Sequence, residues 1–260
     1  MVNATRPDLT WDAHDHADLV PYMVACLRND GHAALAEFID SPVAAGEVPL
    51  AGLMTGAREA DYPTSRFWVN VGAHFHDPCS HRGLGWFPYS GADAAARVWR
   101  AALAAWQSGD VTLAMIHIGR CLHLLGDIGG IPHHAAGIGY LVRDPYGHRD
   151  FENWLRDGDH WRSYAVTSGG YYAPWRSYHR CGQAVHVTVA GRPFDWIDQA
   201  AATAKSLLPA VDKHNAGYQA RFPGAAAVLV PSIIRYGAGF IHAFLRDPSV
   251  ISAWPGRRSD

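Results

Sequence analysis

Lysine is almost missing from this chain. Lys205 and Lys213 are the only two in 260 residues, so arginine supplies nearly all of the 22 cationic side chains. Against 24 Asp and Glu this leaves a net charge of −2 and a pI near 6.7. Such a balance excludes the broad basic face that gripping a duplex through many phosphates demands, and no duplex nucleic acid partner is expected. Cysteine is also scarce. Cys26, Cys79, Cys121 and Cys181 form no C-x2-C pair, which excludes a zinc-finger set. Their even number fits two disulfides of an exported protein, and four separate buried thiols fit equally. No run approaches the roughly 18 apolar residues of a membrane span, so no transmembrane segment is expected. The opening Met1-Val-Asn-Ala-Thr-Arg-Pro has no apolar stretch of a secretory signal, which on its own reads as cytoplasmic. Repeats, low-complexity tracts and linkers are absent. The length suits one domain over 1–260, with 1–10 a possible leader remnant and 248–260 a frayed tail.

Strand signals are few, and the expectation is an all-α chain with a long irregular insertion. Helical periodicity runs from about His16 to Ile39 and is interrupted near Gly31. Residues 41–48 read as a loop, and 60–87 as mostly irregular. Ser90-Gly-Ala-Asp93 is a capping box opening a helix through Trp106. Gly109-Asp110 caps the next helix, Val111 to about Asp127, which Gly129-Gly-Ile-Pro132 should end. Pro145-Tyr-Gly147 starts a helix carrying His148 and Glu152. The insertion spans Ser163–Arg192, with a short hairpin expected at His186–Ala190. Helices over Asp195 to about His214 and Ala225–Phe244 close the chain.

What is plentiful is histidine, 16 in all. Around one segment, Pro132-His-His134-Ala-Ala, stand two four-residue steps from a histidine to a carboxylate, His123-Leu-Leu-Gly-Asp127 and His148-Arg-Asp-Phe-Glu152. On a helix, i and i+4 stand one above the other, so each pair aims an imidazole and a carboxylate at one point. A borderline ion such as zinc accepts that mixture of nitrogen and oxygen donors. Two such clamps around a histidine pair suggest more than one metal, and the chain reads as a multinuclear zinc hydrolase. Two metals about 3.5–4 Å apart generate a hydroxide at neutral pH and stabilise both oxygens of a phosphodiester displacement. Asp127 is the candidate carboxylate for bridging them. His76 and His81 read as loop histidines, with a supporting role behind the metal ligands the lesser alternative. Tyr171, Tyr172, Trp175 and Tyr178 cluster in the insertion, and gap-filling between helices is the favoured role over a substrate wall.

Further segments complete an ordered set: Trp11-Asp-Ala-His14-Asp-His16-Ala, Ala60-Asp61-Tyr62, His74-Phe75-His76-Asp77-Pro78, His123-Leu-Leu-Gly-Asp127, Pro132-His-His134-Ala-Ala and Gly147-His148 followed by Glu152. This set resembles the bacterial zinc-dependent phospholipase C family, to which fungal single-strand-specific nucleases are related. It covers Trp11 to Glu152. The resemblance implies an all-helical domain with a central cleft holding two or three zinc ions. One would be similar to an ion held by His74, His123 and Asp127. A second would be held by His134, His148 and Glu152, with His133 as rival to His134 because the spacing from Asp127 is one residue longer than usual. A third, completing a trinuclear site, would sit between Asp127, His16 and the amino nitrogen and carbonyl oxygen of Trp11, once the ten preceding residues were removed. Asp61 corresponds to a carboxylate that contacts the attacking water in the phospholipases and binds metal in the nucleases, making Asp61 and Asp127 the catalytic pair. Export follows from the same resemblance.

For the substrate, the resemblance points to Tyr62, Phe75 and the position of His14. A carboxylate that helps cradle choline is replaced by His14, and an aromatic is replaced by Val71. Cation–π capture of a quaternary ammonium needs aromatic faces and a nearby negative charge, so the choline box is incomplete. The expected activity is cleavage of a phosphodiester in a phospholipid or small molecule by attack of hydroxide held at the metals. The alternatives are a single-strand nuclease or 3′-nucleotidase, an intracellular member doing metal-assisted chemistry on a small metabolite, and a zinc-loaded structural domain. Oligomeric state is left open.

Overall fold

One helix, Val111–Gly130, is buried without interruption from Cys121 to its end, and the other elements assemble around it. The computed structural model describes residues 13–43, 46–84, 89–136, 149–173, 177–186 and 192–254. Its helices in chain order are α1 (Ala13–Asn29), α2 (Ala33–Asp40), α3 (Pro49–Glu59), α4 (Gly91–Gln107), α5 (Val111–Gly130), α6 (Arg149–Arg156), α7 (Pro193–Ser206), α8 (Leu208–Val211), α9 (Phe222–Leu245) and α10 (Pro248–Ser252). Short 3₁₀ segments occupy Val71–His74, Asp157–Tyr164 and Tyr218–Arg221. Among the described residues the only strands are β1 (Ser177–Arg180) and β2 (Gln183–His186), an antiparallel hairpin. The fold is all-α.

Helix α5 packs on α3, α4, α7 and α9, while α1 lies across α3 and α9. Glycine sets how closely α3 and α5 approach. A Cβ on Gly56 would fall 1.9 Å from Ile116 O, and one on Gly119 would fall 2.1 Å from Leu53 O. The two backbones therefore touch directly, which carries the Ala57 carbonyl to within reach of His123. Elsewhere the core is aromatic. Trp99 meets Phe240 edge-on with centroids 5.0 Å apart, and Trp106 contacts Phe38, Phe244 and Trp254. The Asp157–Tyr164 segment is tied to α1 by Trp161 Nε1–H, which donates to the buried Asp15 Oδ1 at 3.1 Å.

The capping box at α4 is formed in both directions between Ser90 and Asp93, and Asp110 accepts the Leu113 amide at the start of α5. Several sequence expectations are corrected. Helix α5 runs on through Gly129-Gly130 and ends at Ile131. There the missing side chains permit a tight fit, since a Cβ on Gly129 would meet Ala200 Cβ at 2.9 Å. The hairpin sits at 177–186, ahead of the expected 186–190, of which 187–190 lie outside the described residues. Residues 248–252, expected to fray, form α10, with Asp247 as its cap. The Val250 carbonyl there accepts the Trp106 indole proton at 3.1 Å.

Cysteine follows neither simple scheme. Cys79 and Cys181 form a disulfide between the 75–84 loop and the hairpin, while Cys26 and Cys121 are buried thiols. Burial pushes Cys26 up to about 11 and Cys121 up to about 12, so neither is a thiolate at neutral pH. Helix α5 and the segment Tyr218–Leu245 are long and apolar enough to cross a bilayer. Burial accounts for 78% and 67% of their apolar windows, as befits core helices. Tyr171 packs on Tyr236, and Tyr172 Oη–H donates to Asp30 at 2.6 Å, so both fill gaps between helices. Trp175 lies outside the described residues, as does the Tyr178 side chain.

Candidate metal centre

His123 and Asp127 lie in the wholly buried stretch of α5, where an ionisable group is costly unless something compensates it. The compensation arrives from three other elements: α1 brings His16, the turn after α3 brings Asp61, and the 3₁₀ turn Val71–His74 brings His74. His16, His74 and His123 are all buried. Asp61 keeps a quarter of its side chain exposed, which makes it the solvent-facing member.

The backbone partners fix how the imidazoles are presented. His123 Nδ1 lies 2.8 Å from the Ala57 carbonyl oxygen. A carbonyl only accepts, so Nδ1 carries the proton and Nε2 turns its lone pair inward. His74 is held in the opposite sense. Its Nε2 faces the Val69 carbonyl at 3.2 Å, leaving the lone pair on Nδ1. These inward nitrogens lie 3.3 Å apart. Asp127 Oδ2 sits 2.6 Å from His74 Nδ1 and 3.1 Å from His123 Nε2. Asp61 Oδ1 is 3.2 Å from His123 Nε2 and 3.8 Å from His74 Nδ1. Acceptors thus converge on acceptors, an arrangement that only a proton or a cation between them stabilises. The three spacings around His123 Nε2, at 3.1, 3.2 and 3.3 Å, match the edge of a tetrahedron with bonds of about 2.0–2.1 Å, roughly 3.3 Å.

The other Asp127 oxygen looks the opposite way: Oδ1 is 3.2 Å from His16 Nε2. One carboxylate therefore serves imidazoles on two sides, as a bridging group does. Gly126 makes the room for His16, since a Cβ there would fall 2.5 Å from His16 Nδ1. Gly126→Ala is accordingly expected to weaken metal binding about 10–100-fold, the usual effect of disturbing a ligand's support. The accompanying loss of stability should be about 1–3 kcal/mol. Metal titrations and thermal melts on the variant check both; unchanged metal affinity would remove His16 from the centre.

A second pair lies beside the first. His134 Nε2 is 3.3 Å from Glu152 Oε1, with both side chains buried. Phe75 covers the ring, with centroids 4.5 Å apart. The contact with Glu152 is made by His134, while His133 is fully buried in the same turn. Their expected partner His148 and the expected Trp11 both lie outside the described residues. His14 is exposed on α1, and Tyr62 lines a surface hollow with Arg58 and Arg66 next to Asp61.

Charge follows geometry. Burial opposes the Asp127 carboxylate, yet His123 and His16 more than offset this and hold it well below the usual carboxylate range. Asp61 is lowered in the same way, burial being outweighed chiefly by His123. Burial also opposes a charged His123, but Asp61 and Asp127 raise it well above its usual value. His134 is raised despite its burial, through the Glu152 hydrogen bond and the nearby Asp127.

Sequence reasoning missed the anchoring carbonyls of Ala57 and Val69, because any residue supplies one. It also passed over a second convergence. His76 is fully buried and lies 2.8 Å from Asp198 on α7, with His81 3.3 Å from the same oxygen. A carboxylate amid the apolar face of α7, at a position three residues after Asp195, was the available signal.

No known family model matches the sequence. A phospholipase C of Bacillus cereus is 29% identical over 159 residues, 59% of this chain and 49% of the relative. A second phospholipase C of that organism is 27% identical over 157 residues, again 59% and 49%. The chain spans about half the length of the curated relatives it matches. Among solved structures, the alpha toxin of Clostridium absonum superposes with a TM-score of 0.69 at 18% identity, covering 94% of this chain and 65% of that one. An alpha-toxin of Clostridium perfringens, from an avian strain, gives 0.67 at 20% identity, with 92% and 64% covered. At such identities the solved structures speak for the fold. In sequence the chain resembles these phospholipases C, and in structure it shares the all-α fold of the alpha toxins.

Proposed function

We propose that the chain is a zinc-dependent phosphodiester hydrolase of phospholipase C type. The observation that carries this reading is the meeting of inward nitrogen lone pairs from His74 and His123 with the Asp127 and Asp61 carboxylates. His74, His123 and Asp127 would hold one zinc. His134 and Glu152, with His148, would hold a second, and the 3.3 Å approach of His134 to Glu152 supports it over His133. His16 and the Oδ1 side of Asp127, with Trp11, would serve a third. The donor set of imidazoles and carboxylates fits zinc. When bound, zinc supplies Lewis acidity toward a phosphoryl oxygen and acidifies water.

The chain's own residues do the rest. Asp61 is the one carboxylate of the set open to solvent, and it accepts a hydrogen bond from the attacking water, aligning its lone pair on phosphorus. The Ala57 and Val69 carbonyls hold His123 and His74 in the tautomers that point lone pairs inward. Phe75 shields His134 from water and strengthens the charge interactions there. The whole is one domain, and its substrate is a phosphodiester whose recognition does not depend on choline, since the exposed His14 supplies no carboxylate and the exposed Val71 no aromatic face.

Chelation followed by zinc addition tests this. Hydrolysis of bis(p-nitrophenyl) phosphate should vanish on chelation and return with zinc. Vesicles of phosphatidylcholine and phosphatidylethanolamine should be cleaved within about tenfold of one another, and single-stranded DNA poorly. Activity that survives chelation would reject the metal reading, and faster cleavage of single-stranded DNA would place the chain with the nucleases.

A further inference from the structure

Outside the centre just described, a second set of nitrogen and oxygen donors meets on the far side of the same loop. His76 Nε2 and His81 Nδ1 approach a single oxygen, Asp198 Oδ1, at 2.8 and 3.3 Å, and ligand atoms of all three residues lie within 4.8 Å of one another. We propose that His76, His81 and Asp198 form a separate mononuclear site for a zinc-class divalent ion. It would pin the 75–84 loop to α7.

The chemistry of the donors selects the ion. Two imidazoles and one carboxylate suit zinc and its first-row neighbours, whereas calcium and magnesium prefer oxygen. The His81 spacing of 3.3 Å matches the tetrahedral edge of roughly 3.3 Å, while the His76 spacing of 2.8 Å is that of a hydrogen bond. A plain histidine–carboxylate ion pair accounts for His76 alone and gives no reason for a second imidazole on the same oxygen. His76 and Asp198 are fully buried, whereas His81 is 36% exposed along its side chain. Three protein donors with one face open leave a position for water and a path of entry. Phe194 covers the rings of both histidines, at 5.5 and 5.3 Å, supplying the apolar shell that strengthens metal–ligand attraction.

The backbone is shaped to the same end. His81 adopts φ 56°, a left-handed conformation costing an ordinary residue about 1–2 kcal/mol. The turn holding it is fixed by the Asp77–Arg82 bridge, the Cys79–Cys181 disulfide and an ion pair from Lys205 to Asp77. The backbone of His76 also donates to the His134 carbonyl at 3.0 Å, so an ion here would brace the segment carrying His74 and Phe75.

The test counts metal rather than activity. Protein equilibrated with zinc and then dialysed is measured by elemental analysis as wild type, as His81→Gln, and as both forms carrying Asp127→Asn. The exposed His214→Gln serves as control, and cobalt-loaded samples are compared by visible absorption. His81→Gln should lower the count by one ion per chain in each background and remove one component of the cobalt spectrum, with His214→Gln changing neither. Asp198→Ala should repeat the loss wherever its circular dichroism matches wild type. An unchanged count in His81→Gln overturns the site. Loss of one ion in His81→Gln beside no loss in Asp127→Asn would instead reject the main centre and leave this one standing.

Discussion

Asp127→Asn is expected to strip the main centre of zinc and lower phosphodiester hydrolysis by about 10³-fold or more, beyond the 10–100-fold typical of residues that merely support a ligand. Its two oxygens face different imidazoles: Oδ2 meets His74 and His123, while Oδ1 meets His16. An amide keeps one oxygen and turns an N–H toward the other side, so a donor replaces an acceptor at whichever position it takes. The change also removes the negative charge that, with Asp61, draws a cation into the space between the rings. Asp61→Asn should differ in kind. That side chain is a quarter exposed and stands 3.8 Å from His74, so most of the metal should stay while turnover falls. Elemental analysis with single-turnover kinetics separates the two variants. Full activity in Asp127→Asn would dismantle the centre as drawn here.

How far such a centre can be read from sequence depends on what holds each residue. His123 and Asp127 were legible because a helix converts a four-residue step into a shared direction. The helix itself was legible from its cap, Asp110. His74, Asp61 and His16 carry no such periodic signal, since the turn after α3, a 3₁₀ turn and α1 bring them in from elsewhere in the chain; only motif resemblance pointed to them. The approach of α3 to α5 rests on Gly56 and Gly119, and isolated glycines do not announce close packing. The same holds for the end of α5, where Gly129-Gly130 looked like a breaker and is a packing face. His76 and His81 seemed ordinary because their partner Asp198 is 122 residues from His76. Helix α10 was missed because a five-residue segment has too little periodicity to register, although Asp247 caps it.

Removing metal should have its largest effect on stability in alkaline solution, and the sign follows from the buried groups. In the metal-free protein His123 is raised well above its usual 6.5, the Asp61 and Asp127 charges outweighing its burial. A folded-state value above the unfolded one gives stability that is full below about 6.5 and is lost as pH rises through the folded value. Asp127 is lowered well below 3.8, so its contribution is present above about 3.9 and disappears only as pH falls through the lowered value. The metal-free centre is thus held by His–Asp attraction across the acidic-to-neutral range. It weakens once His123 sheds its proton and buried lone pairs face carboxylates with nothing between them. Zinc acts in reverse, since its affinity rises as the imidazoles lose the protons that compete with it. The difference in Tm between zinc-loaded and chelated protein should therefore widen from pH 6 to pH 8.5. With free zinc at about 1,000 times Kd the stabilisation is about 4 kcal/mol, or roughly 8–16 °C for a chain near this size. Paired calorimetric melts across that range measure it. A difference that stays flat or shrinks as pH rises would mean that protons, and no cation, complete the centre.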